Sequence, residues 1–102
     1  MSQPWVSTLT PHQARRVGKT IEELGELLAV LGRLTIQNLD DIDPGSGKTN
    51  RQRLHEETGD VLAQIFCNYG AFGLNVPFID RRVDEKVTLM GQWEAHFFAP
   101  KD

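Results

Sequence analysis

Residues 10–34 read TPHQARRVGKTIEELGELLAVLGRL, and the way this stretch folds decides the architecture. Thr10 followed by Pro11 is a cap residue ahead of a proline at the first helical position, where a missing N–H costs nothing. From there Val17, Ile21, Leu24, Leu28 and Leu31 recur at alternating four- and three-residue steps, which puts them on one stripe of a helix. A second apolar line, Leu27, Val30 and Leu34, runs to one side of that stripe. A surface helix of a monomer needs only one buried stripe, so the second face is expected to be a subunit interface.

Two more periodic stretches follow. Leu54, Val61, Leu62, Ile65, Tyr69 and Phe72 share one side of a second helix that stops near Gly73 to Asn75. Ile79, Val83, Met90, Trp93 and Phe97 form the stripe of a third, which opens after Asn75-Val76-Pro77. Strand-type alternation is absent. The expectation is an all-α domain over residues 1–102, with helices near 11–37, 50–73 and 77–98 and a loop at 38–49. These three main helices per chain would form a helical bundle completed by oligomerisation, as a homodimer or homotetramer.

Composition narrows the function classes. A chain of 102 residues, 39% apolar, is one globular domain with a modest core of its own. Eleven basic against fourteen acidic residues give a net charge of −3, and no segment clusters Lys and Arg with aromatics, which argues against nucleic acid. The N-terminal stretch has no secretory pattern, and the longest apolar run is Leu27-Leu28-Ala29-Val30-Leu31. A soluble cytoplasmic protein with no membrane partner is expected. The single cysteine, Cys67, reads as a small buried hydrophobe.

Residues 45–49, Gly-Ser-Gly-Lys-Thr, resemble the tail of a phosphate-binding P-loop. A complete P-loop has a glycine five positions before Gly47 and a buried strand leading in. Here that position is Ile42, and Gln37 to Pro44 is acidic and turn-forming. The stretch therefore reads as a flexible Gly/Ser interhelix loop.

The carboxylates point elsewhere. Lys19, Glu23, Glu26 and Val30 project along one line of the first helix, beside its second apolar face. On the second helix Glu57 and Asp60 lie one turn apart on the flank of the stripe, and Gln64 and Asn68 continue the polar seam. A lone Glu-x-x-Glu is usually a solvated face. Two such pairs facing each other would crowd four carboxylates, whose mutual repulsion calls for a hard divalent cation. All-oxygen ligation suits Mg²⁺ or Mn²⁺, whereas zinc favours His or Cys. A di-iron carboxylate site would need Glu-x-x-His, and none of His12, His55 and His96 has a Glu three positions before it.

The segment Lys19-Thr20-Ile21-Glu22-Glu23-Leu24-Gly25-Glu26-Leu27-Leu28, followed by Glu56-Glu57-Thr58-Gly59-Asp60-Val61-Leu62, resembles the two-part signature of the MazG-like nucleoside triphosphate pyrophosphohydrolases, within the all-α NTP pyrophosphatase superfamily. The likeness extends over nearly the whole three-helix layout. It implies an oligomeric helical bundle and Mg²⁺-dependent hydrolysis of a (deoxy)nucleoside triphosphate between the α and β phosphates, yielding monophosphate and pyrophosphate. Glu23, Glu26, Glu57 and Asp60 fall on the family's metal ligands, and Glu22 is a candidate general base. Lys19 precedes the first acid pair as the family's basic residue does, and Lys86, in Arg81-Arg82-Val83-Asp84-Glu85-Lys86, matches its phosphate-holding lysine. After Lys86 the chain continues Val87-Thr88-Leu89-Met90, where family members often carry arginines. A phosphoribosyl-ATP or dUTP pyrophosphohydrolase of the same superfamily, or a nonenzymatic helical interaction protein, are the alternatives.

Overall fold

The computed structural model describes residues 5–97, which contain three α-helices and no strand. Helix α1 spans Pro11–Arg33, α2 spans Asn50–Ala71 and α3 spans Val76–Phe97. The start of α1 is the expected one, reinforced by a capping box: the Thr10 hydroxyl accepts from the Gln13 amide, and the Gln13 side chain accepts from the Thr10 amide. Its end comes at Arg33 rather than near Gln37. Beyond Arg33, three-residue turns take over, with the Thr35 amide and hydroxyl both donating to the Gly32 carbonyl. Thr49 caps α2 by accepting from the Gln52 amide at 3.1 Å. Gly73 terminates that helix at φ +60°, a left-handed conformation glycine adopts without steric cost.

The first two helices form an antiparallel hairpin. Gln13 donates to the Ala71 carbonyl at 3.0 Å, Arg16 binds Asn68 and Gln64, and Thr20 accepts from Asn68 at 2.9 Å, so early α1 lies beside late α2. Among the described residues, the buried apolar centre consists of Val30 and Val61. Val30 is fully buried, and Leu27 and Leu34 are half-buried beside it. The line expected to be a subunit interface is thus the seam that α2 covers within the same chain. The other stripe, Val17 to Leu31, is the exposed one. Cys67 also departs from expectation, being exposed.

Helix α3 does not close a three-helix bundle. Extensive helix contact is confined to α1 with α2, and no residue of α3 is buried. The chain is accordingly extended, 60 × 40 × 24 Å along its principal axes. No helix among the described residues is long and apolar enough to cross a membrane.

The α1–α2 loop is tied down rather than flexible. Asp43, only 6% exposed, accepts from the Ser46 amide at 2.9 Å and from Arg33 Nε at 3.1 Å, and Arg53 stands 3.7 Å away. Fully buried Asn50 donates to Gln37 Oε1 and to the Asn38 carbonyl, which clasps the other side of the loop. An isolated bridge between Ile42 and Thr49 closes its base.

Candidate metal centre

The antiparallel register brings the two acid pairs together. One carboxylate oxygen from each of Glu23, Glu26, Glu57 and Asp60 lies within 4.8 Å of the others. Helical spacing explains this: residues three apart lie on one face, so each helix presents its pair to the same groove. The burial is graded, with Glu23 buried, Glu57 half-buried, and Glu26 and Asp60 exposed. The groove is therefore floored by the hairpin and open to solvent at its lip.

Its electrostatics are unbalanced. Glu23 Oε1 receives Lys19 Nζ at 3.1 Å, and the same ammonium reaches Glu22 at 3.4 Å. Yet Glu23 Oε2 and Glu57 Oε2 are buried without a hydrogen-bond partner. Unpaired buried carboxylate oxygens are costly, and here they face further acids rather than donors. The charge on Glu23 holds the Glu26 carboxyl above the usual carboxylate range, with loss of water and the Glu57 charge adding to the effect. Lys19 is raised above the ordinary lysine value, first by its hydrogen bond to Glu23 and then by the charge of Glu22. Four carboxylates that meet in one groove, two of them with a buried oxygen that has no donor, are a donor set of the kind a hard divalent cation takes, and such an ion would add positive charge beyond that of Lys19.

The other expected site residues divide. Lys19 sits at the lip through its Glu22 and Glu23 contacts, and Glu22 is exposed beside it, outside the four-oxygen cluster. Lys86 is exposed on α3, which does not pack on α1 and α2, so the chain by itself does not bring it to the acids. A shallow concavity along α3, lined by Asp84, Glu85, Thr88, Leu89 and Gln92, likewise includes none of the four ligands. Further along the hairpin seam, Arg16 and Thr20 complete a polar network with Gln64 and Asn68. Sequence reading found the two amides and missed their partners. The spacing of Arg16 and Thr20, one turn apart and one turn before Glu23, was the available signal.

The Gly-Ser-Gly-Lys-Thr segment is not a phosphate cradle. The Ser46 amide donates to the Asp43 side chain, the Gly47 amide to the Asp43 carbonyl at 2.8 Å, and the Lys48 amide to Ser46 Oγ. Lys48 Nζ is held by both carboxylate oxygens of Glu56, at 3.0 and 2.9 Å. Donors that would have to point at phosphate are already used. The chain matches no family model, no curated protein and no solved structure.

Proposed function

We propose that this chain is a Mg²⁺-dependent nucleoside triphosphate pyrophosphohydrolase, cleaving the α–β anhydride of a (deoxy)nucleoside triphosphate to the monophosphate and pyrophosphate, with a role in clearing or regulating nucleotides. The observation that carries it is the meeting of four carboxylate oxygens within 4.8 Å, two of the acids having a buried oxygen with no donor. Glu23, Glu26, Glu57 and Asp60 would hold Mg²⁺ or Mn²⁺. When bound, such an ion would supply positive charge against the phosphates in the transition state. Lys19 offers a second cation at the lip, and Glu22, exposed next to it, would be the general base toward an incoming water. The resemblance described above adds the reaction class. The same groove suits a phosphoribosyl-ATP or dUTP substrate equally, because nothing in it reads a base.

Pyrophosphate release from a panel of nucleotides, with Mg²⁺ and with chelator, tests the proposal. Metal-dependent release of one pyrophosphate per monophosphate is the expected result. A second reading, a nonenzymatic helical interaction protein, is favoured by one observation: Lys86 stands apart from the acids on a helix with exposed apolar side chains. Under that reading no nucleotide on the panel is hydrolysed at any metal concentration.

A further inference from the structure

Arg16, Arg33 and Arg53 are the half-buried arginines among the described residues. Arg33 and Arg53 both meet Asp43, at 2.9 and 3.7 Å. Arg16 is treated differently. Among the described residues no carboxylate is paired with it. Its Nε donates to Asn68 Oδ1 at 3.1 Å, and its Nη2 donates to the Gln64 carbonyl at 3.3 Å and to Gln64 Oε1. These neutral oxygens orient the guanidinium and leave its charge uncancelled. A cation drawn partly out of water without a counter-ion is costly, and an arriving anion would offset that cost.

The rest of the network is closed around it. Asn68 Nδ2 donates to Thr20 Oγ1 at 2.9 Å, and the Thr20 hydroxyl donates to the Arg16 carbonyl at 2.7 Å. Two donors are left over. Arg16 Nη1 and Gln64 Nε2 donate to no described acceptor, and neither is sealed from water. Their placement follows from helical spacing. Arg16 precedes Glu23 by seven residues and Gln64 follows Glu57 by seven, two turns that return to nearly the same line of each helix. Arg16 and Gln64 thus share the seam of the two acids whose second oxygens have no donor. Gln64 lies one turn, about 6 Å along the axis, beyond Asp60.

We infer that Arg16 is a phosphate-binding residue: its guanidinium, braced by Gln64 and Asn68, receives one end of a polyphosphate whose other end is on the cation held by the acids. This rests on the reading of Glu23, Glu26, Glu57 and Asp60 as a Mg²⁺ site for nucleoside triphosphates, and it adds a grip on the phosphate chain. A metal-bound polyphosphate brings positive charge to the four acids and negative charge to Arg16, whereas a free cation or a free anion answers only one of the two. The planar fork of an arginine suits two oxygens of a phosphate. Lys19 is already paired with Glu22 and Glu23, and Lys86 lies on a helix that does not pack on the hairpin, so Arg16 is the unmatched cation of this seam.

The test is calorimetric titration of the full chain with inorganic pyrophosphate in saturating Mg²⁺, beside a titration with Mg²⁺ alone. Arg16→Gln should weaken pyrophosphate binding at least about 30-fold and Mg²⁺ binding less than about threefold. An arginine that only fastened the helices together would weaken both alike, through the register of the acids, and that result overturns the inference. Gln64→Glu gives Arg16 a carboxylate within the chain. It should keep or raise the melting temperature and still weaken pyrophosphate binding at least about tenfold, whereas Ala63→Glu, the same charge on the exposed neighbour, should change it less than about threefold. Should Arg16→Gln fail to fold, this second pair decides. Wild-type pyrophosphate affinity in the Arg16 and Gln64 variants overturns the inference and leaves the metal site standing. A wild-type chain that binds neither pyrophosphate nor any nucleotide in Mg²⁺ overturns the inference and the pyrophosphohydrolase reading together.

Discussion

Glu23 and Asp43 are both buried carboxylates, 8% and 6% exposed, and they sit in opposite electrostatic company. Asp43 is met by Arg33 at 2.9 Å, by Arg53 and by the Ser46 amide, so its charge is matched by the fold. Glu23 has one lysine contact on one oxygen and none on the other, with three further acids around the same groove. A fold that places donors around one buried acid and withholds them from another is using the two differently. The first ties the α1–α2 loop; the second belongs to the groove where the proposed cation would bind.

The strongest break of this contrast comes from neutralising one acid at each place. Glu57→Gln or Asp60→Asn should reduce pyrophosphate release at least about 100-fold, because each removes one of the four proposed metal ligands. The same variants should raise the melting temperature of the metal-free protein, since a repelling charge is gone. In the wild type, Mg²⁺ at 100 times its dissociation constant should stabilise the fold by about 2.7 kcal/mol, a gain these variants forfeit. Metal titrations followed by circular dichroism, beside activity assays, read all three effects. An unchanged wild-type melting temperature in millimolar Mg²⁺ would count heavily against the site.

Asp43→Asn should do the reverse. It leaves Arg33 and Arg53 facing a neutral amide, so the melting temperature should fall by several degrees with or without metal, while turnover per folded molecule stays within about twofold. Differential scanning calorimetry at matched protein concentration checks it. A rise in stability would mean that the arginines find other partners and that the loop does not depend on this acid.

The pH response separates the two acids again. Glu26 is held above the usual carboxylate range, foremost by Glu23, so the folded state binds its proton more tightly than the unfolded chain. Its contribution favours the fold below the ordinary carboxylate value and is lost as pH rises through the raised one. Asp43 is held below that range, foremost by its hydrogen bond with Ser46 and further by Arg33 and Arg53. Its contribution is present above the ordinary value and is lost as pH falls through the lowered one. In chelator, then, Glu26→Gln should remove a loss of stability on the rising limb of a pH titration, and Asp43→Asn should remove one on the falling limb. Equal effects of both variants on the same limb would contradict the contrast.

These two acids also mark what could be read without coordinates. The Glu23, Glu26, Glu57 and Asp60 pattern was legible because helical spacing is local, and two local pairs needed only an antiparallel register to meet. Which stripe of α1 faces α2 was not. Two apolar lines about 100° apart are equally periodic, and the choice between Leu24/Leu28 and Leu27/Val30 rests on the partner, which periodicity does not contain. Asp43 looked like one more turn former in an acidic run, because its arginines are 10 residues away on either side, on two different helices. The end of α1 at Arg33 hinged on Gly32 accepting from Thr35, a side-chain competition that a count of apolar positions passes over.

The smallest effect belongs to Lys48, and it closes the question raised by the Gly-Ser-Gly-Lys-Thr loop. Its ammonium is spent on Glu56, which lies beside Glu57 in sequence but outside the cluster of four, and the loop amides around it are spent on Asp43 and Ser46. The Lys48 hydrogen bond holds the Glu56 carboxyl below the usual carboxylate range. Both side chains of the pair are more than 40% exposed, and exposed pairs contribute little once salt screens them. Lys48→Ala should therefore leave pyrophosphate release within about twofold and shift the melting temperature hardly at all. Lys86→Ala, on the matched lysine of α3, should fall between this and the ligand variants, with its loss in KM more than in kcat. Steady-state kinetics over a series of nucleotide concentrations separates the two lysines. If Lys48→Ala abolishes turnover while Asp60→Asn retains it, phosphate is bound by the loop, and the four carboxylates are a surface acid cluster without a catalytic ion.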